Sequence, residues 1–98
     1  MYLTMVPLHL TAGQEARHQV VDHHLLGDLL WVVADVGDRL EHVYVQAAPG
    51  RLGVVLYLLA DSPRSARPVA LAICRRALRT SPLLRGWRVA EGPGSSAP

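Results

Sequence analysis

The chain has 98 residues, half of them apolar and 18% charged, with a formal net charge of +2. That length makes one domain with one modest core. The half-apolar composition excludes a chain disordered as a whole and a collagen-like repeat, and with Cys74 the only cysteine a disulfide-stapled mini-protein is excluded too.

Tyr2–Leu10 is apolar with mild alternation and reads as a strand. Pro7 cannot donate to a ladder, so a neighbour must be missing there or the strand must bulge. Thr11-Ala-Gly-Gln14 has the form of a capping box, which predicts a helix from that point. Val21, Leu25, Leu29, Leu30 and Val33 recur at helical spacing, and Val20, Leu26 and Val36 widen the stripe. Gly27 lies inside and costs about 1 kcal/mol relative to Ala. A continuous helix is the preferred reading. The other is a break at Gly27, with Leu29–Ala34 as a separate strand.

Asp35-Val-Gly37-Asp38 is turn chemistry. Leu40–Ala47 alternates, with Val43, Val45 and Ala47 on one face and His42, Tyr44 and Gln46 on the other, as in a half-exposed strand. Ala48-Pro49-Gly50-Arg51 makes a hairpin turn. Gly53–Ala60 is almost wholly apolar and predicts a central strand buried on both faces. Ser62 and Pro63 supply the N-cap and N1 of a second helix, which runs to about Thr80 and stops at Ser81-Pro82. Pro68 either kinks this helix or shifts its start. Trp87–Glu91 is a last short strand. The domain is thus 1–91, and 92–98 is a flexible Gly/Ser/Pro tail.

The order β-α-β-β-α-β predicts an α+β, ferredoxin-like fold: an antiparallel four-stranded sheet with two helices on one face. The first and third strands are then central, and they are the ones lacking a polar face. Each exposed large aliphatic forgoes roughly 1.5–3 kcal/mol of burial. The second sheet face is therefore expected to be covered, most simply by a homodimer packed sheet to sheet and otherwise by an apolar ligand or another partner.

Charge is laid out unevenly. Residues 1–61 hold seven acids (Glu15, Asp22, Asp28, Asp35, Asp38, Glu41, Asp61) against three arginines (Arg17, Arg39, Arg51), a balance of −4. Residues 62–98 hold seven arginines against Glu91, a balance of +6. On the second helix Arg64, Arg75, Arg76 and Arg79 fall in one sector about 120° wide, opposite Ala66, Val69, Ala70, Ile73 and Ala77. No acid lies between Asp61 and Glu91, so these arginines lack local i,i+4 partners. They are the candidate surface for a protein partner; the plain alternative is a solvated face paired with the acids of the first helix or of residues 35–41. Nucleic acid is not expected, because no aromatic platform is interleaved with the arginines.

His42, Tyr44 and Gln46 share a strand face that Tyr57 or His9 can join. In a dimeric barrel His42, Tyr44 and Tyr57 would line a pocket, where an imidazole beside a phenol suits acid–base work. His18, His23, His24 and Asp22 cluster on the first helix, but adjacent His23 and His24 diverge by about 100° and no second cysteine is present, so no metal is expected. Cys74 reads as a small buried hydrophobe. No glycine motif for a nucleotide occurs and no cofactor is expected. Nothing at the N-terminus reads as a signal peptide, and no apolar run approaches the ~20 residues of a membrane span; a cytoplasmic location is expected.

The segments Leu40-Glu-His-Val-Tyr-Val, Leu52-Gly-Val-Val-Leu-Tyr-Leu-Leu-Ala-Asp, Cys74-Arg-Arg-Ala-Leu and Leu84-Arg-Gly-Trp resemble those of short uncharacterised ferredoxin-like proteins of GC-rich bacteria. The resemblance implies the fold and brings no activity or functional residue with it. The topology also resembles that of dimeric α+β-barrel enzymes such as small oxygenases and polyketide cyclases, but topology does not fix function. The leading expectation is a small non-enzymatic interaction module: a homodimer that contacts another protein through its Arg-rich helix. The alternative is a dimeric barrel enzyme or binder for a small apolar molecule; a nucleic-acid accessory protein is the weaker third.

Overall fold

The computed structural model describes residues 1–90. The elements are β1 (Tyr2–Ala12), α1 (His23–Val33), β2 (Leu40–Ala48), β3 (Arg51–Ala60), α2 (Pro63–Thr80) and β4 (Trp87–Val89), with 3-10 turns at Gln14–Ala16, Val36–Asp38 and Pro82–Leu84. The architecture is α+β: two helices and one four-stranded sheet in the order β2-β3-β1-β4, every pair antiparallel. This is compatible with the expected pattern, with the 3-10 turns added. The expected tail at 92–98 and the end of the last strand at Glu91 lie outside the described residues.

β1 and β3 are the central strands, in register from Tyr2 opposite Ala60 to Thr11 opposite Arg51. Their alternate residues Val6, Leu8, Leu10, Leu52, Val54, Leu56 and Leu58 are buried with Leu26 and Leu30 of α1 and Ala66, Ala70, Ile73 and Ala77 of α2. Small alanines on the inner side of α2 let that helix lie close to the sheet. Both helices thus cover the same face. Among the described residues no helix is long and apolar enough to cross a membrane.

Three expectations need correction. The first helix does not start at Thr11. β1 runs on to Ala12, and Thr11 sits between Arg51 of β3 and Arg88 of β4. Sheet pairing consumes the backbone that the capping box needed, and only the 3-10 turn Gln14–Ala16 forms, with no side-chain cap. The helix begins at His23, where the Asp22 carboxylate accepts the His24 N–H at 2.8 Å and the Leu25 N–H at 3.4 Å. It then passes through Gly27 without a break, so Leu29–Ala34 is not a strand. Secondly, within the single chain β3 is buried on one face only. Leu52, Val54, Leu56 and Leu58 are covered, whereas Val55, Tyr57 and Leu59 on the other side stay half-exposed. Thirdly, Pro68 neither shifts nor interrupts α2. The helix starts at Pro63 under a reciprocal Ser62–Ser65 box, with both bonds at 3.1 Å, and holds Pro68 on its solvent side.

Pro7 is accommodated by a missing neighbour. The His9 carbonyl accepts from Ala90 on the β4 side, so Pro7, of the same parity, faces that side too. β4 pairs only with Leu10–Ala12, so at Pro7 no ladder bond is lost. At the β2–β3 hairpin, Gly50 has φ +70°, and a Cβ there would stand 2.4 Å from the Arg17 carbonyl oxygen. Only glycine fits this approach, which ties the β1–α1 connection to the hairpin through the Gly50 N–H bond to the Gln19 carbonyl.

Candidate functional site

The uncovered face of the sheet is a set of cross-strand rows fixed by register. Leu3 stands opposite Leu59. Met5 lies beside Tyr57 and Tyr57 beside His42; Pro7 lies beside Val55 and Val55 beside Tyr44. Next come His9, Gly53 and Gln46, and then Arg88, Thr11 and Arg51. One end of the face is therefore apolar and the other cationic. The exposure is large: 61% for Leu3, 58% for Met5 and 53% for Tyr44.

His42, Tyr44 and Tyr57 do come together here. The His42 and Tyr57 rings lie 5.4 Å apart between centroids, tilted by 51°. They stand on an open sheet rather than inside a closed cavity, and beside the β2 edge a groove lined by His42 and Tyr44 continues to His23, His24 and Trp31 of α1. His9 does not join this trio; it is placed one row beyond Tyr44, near Gln46.

The four α2 arginines of the candidate sector divide. Arg76 is committed inside the chain, with one guanidinium nitrogen 2.8 Å from Asp35 Oδ2 and the other 2.6 Å from Asp38 Oδ2. The hydrogen bond to Asp38 and the two nearby carboxylates raise its pKa further, so it is permanently charged and paired. Asp38 also accepts the Asp35 N–H at 2.9 Å, so one carboxylate closes the 3-10 turn and anchors α2 to it. Arg64, Arg75 and Arg79 are exposed, and among the described residues none of them forms an ion pair. Arg79 shares a groove between the helices with Arg76, Thr80 and Val33 of α1.

Cys74 is fully buried, and burial pushes its thiol pKa up to about 12. It stays protonated at neutral pH and is inert as a nucleophile. Asp22 is used as the helix cap, and the His23 and His24 rings sit 4.1 Å apart. Among the described residues no group of three or more His, Cys, Asp or Glu side chains is placed to hold a metal ion.

The strand pattern alone did not single out Arg51, Gly53 and Arg88. Their common signal is the parity of β1: Thr11 shares a face with His9, and each pairs outward to the residues in question. Nor did the helix pattern expose Leu25 and Val32, which remain open on α1. No protein-family model, curated protein or solved structure matches this chain.

Proposed function

We propose that the chain is a non-enzymatic, ferredoxin-like interaction module that works as a homodimer, its copies meeting sheet to sheet, with Arg64, Arg75 and Arg79 of α2 turned outward to an acidic protein partner. The uncovered apolar rows Leu3–Leu59, Met5–Tyr57 and Pro7–Val55 carry this reading. Fully burying a side chain of this size contributes about 1.5–3 kcal/mol, and a two-fold interface uses every residue twice. Association itself costs several kcal/mol, to be offset by burying the exposed Leu3, Met5 and Pro7 together with the part still open on Val55, Tyr57 and Leu59. Three strands of about ten residues and the three-residue β4, spaced at about 4.8 Å, give a face of roughly 500 Å² per copy, so the pair covers about 1,000 Å², the floor for a biological interface.

The helix layer lies on the opposite side of the sheet, so α2 stays free when the dimer forms. Arg64, Arg75 and Arg79 each offer five fixed donors to carboxylates. The alternative, a dimeric barrel binder or enzyme, is favoured by one observation, the His42–Tyr57 pair set among apolar rows. It requires the second copy to close a cavity over that pair.

Sedimentation equilibrium tests the dimer. The wild type should run at twice 10.7 kDa at about 10 µM. Met5→Glu places a charge on an already exposed site and should give a folded monomer with an unchanged circular dichroism spectrum. A wild type that stays monomeric at tenfold higher concentration overturns the proposal.

A further inference from the structure

The cationic end of the uncovered face does not suit a bare protein contact. Arg51 and Arg88 flank Thr11 in one row, His9 and Gln46 flank Gly53 in the next, and among the described residues neither arginine is paired with a carboxylate. Covering unpaired guanidinium groups is costly unless a counter-charge comes with the cover. The floor is also missing a side chain. A Cβ on Gly53 would meet only the Gln46 carbonyl oxygen, at 3.9 Å, so glycine leaves space rather than relieving a clash. The result is a depression of about 480 Å³ lined by His9, Gln46, Arg51 and Gly53 among others. One row further on, about 7 Å along the strands, the surface turns apolar at Pro7, Val55 and Tyr44.

We propose that this depression is the head-group subsite for a small apolar acid, an anion held by Arg51 and His9 of its lining and approached by Arg88 from beyond Thr11, with a compact aromatic or branched body lying on Pro7, Val55 and Tyr44. Arginine donors match the oxygens of a carboxylate or phosphate in paired hydrogen bonds. Gln46 adds a neutral polar group to its lining. The two-row distance from the Gly53 floor to Tyr57 and Met5, about 14 Å, limits the body to the size of one aromatic ring with a short chain. The inference rests on the uncovered face being the working surface; on the Pro7–Val55 row a ligand body and a second copy compete, so bound ligand displaces the dimer contact there.

Calorimetric titration of the full chain with 4-phenylbutyrate, 4-phenylbutylphosphonate and the neutral 4-phenylbutanamide tests it. At least one anion should bind about tenfold more tightly than the amide, the worth of a charge-assisted hydrogen bond of about 1.4 kcal/mol. Which anion binds better identifies the head group as carboxylate or phosphate. The double variant Arg51→Gln/Arg88→Gln should lose the preference for an anion. Gly53→Val, which fills the floor and keeps every charge, should weaken all three ligands. Arg64→Gln on α2 should change nothing. Equal binding of anions and amide, or full anion preference in the double variant, overturns the subsite. Sedimentation of the same samples before ligand is added separates the two ideas: binding by a chain that is already monomeric without ligand defeats the dimer alone, and a dimer indifferent to charge defeats the subsite alone.

Discussion

The two faces of the sheet are built from the same strands, one residue out of phase, and they meet opposite fates. On the helix side Leu52, Val54, Leu56 and Leu58 are at most 1% exposed. On the other side their sequence neighbours Val55, Tyr57 and Leu59 keep part of their surface in water, as do Met5 and Leu3 across the ladder. From the Leu3–Leu59 row to the Pro7–Val55 row apolar character is similar on both; what differs there is whether this chain supplies the cover. The first face is what makes the molecule fold, and the second is available for association and recognition.

The largest test of that contrast is truncation on each side. Leu56→Ala leaves a cavity under the helix layer and should cost about 2–5 kcal/mol in urea unfolding. Met5→Ala on the open face should cost under about 0.5 kcal/mol in the monomer. Equal losses would mean that the open face is covered within the single chain.

Alkaline titration reaches the same core through Cys74. Its thiol ionises near 9 in the unfolded chain but near 12 in the folded one. Below pH 9 both states keep the proton and the group adds no pH dependence. Between pH 9 and 12 the unfolded state loses its proton first, so stability should fall by about 1.4 kcal/mol per pH unit from this group. Cys74→Ala should remove that part of the slope when chemical unfolding is followed across the range. An unchanged slope would mean that the thiol reaches water.

A smaller effect separates the two rival helix starts. Asp22→Ala removes the observed cap and should cost about 1 kcal/mol. Thr11→Ala, on the sheet, should leave helix content by circular dichroism unchanged. The smallest effect belongs to the outward arginines. Arg75→Glu with Arg79→Glu should alter stability by no more than about 0.5 kcal/mol while reversing the preference for acidic polymers on an ion-exchange column. Arg76→Ala should be the costlier arginine change, by about 1 kcal/mol, because it frees the Asp35–Asp38 turn from α2. If all three arginines behave alike in thermal unfolding, the ion pair is only loosely held.

Local signals were legible wherever the chain carries its own punctuation. Ser62-Pro63 starts α2, Ser81-Pro82 ends it, and the alternation of Leu40–Ala47 marks β2. The Thr11–Gln14 box misled because a capping motif competes with a ladder, and here two strands claim the same residues. The apolar run of β3 concealed its two-sidedness: hydrophobicity on both faces does not reveal which face a helix will cover. The candidate site was half visible. His42, Tyr44 and Tyr57 follow from strand parity, whereas the row Arg88–Thr11–Arg51 joins three strands far apart in the chain.

Composition, periodicity and turn residues were sufficient to determine the element order, the α+β class and the excess of apolar strand surface, because each depends on neighbours a few residues away. Strand register, the pairing of Arg76 with Asp35 and Asp38, and the gathering of Arg51, Arg88 and His9 at one end of an uncovered face were decided only when distant segments packed. Those features depend on through-space neighbours that no local pattern encodes.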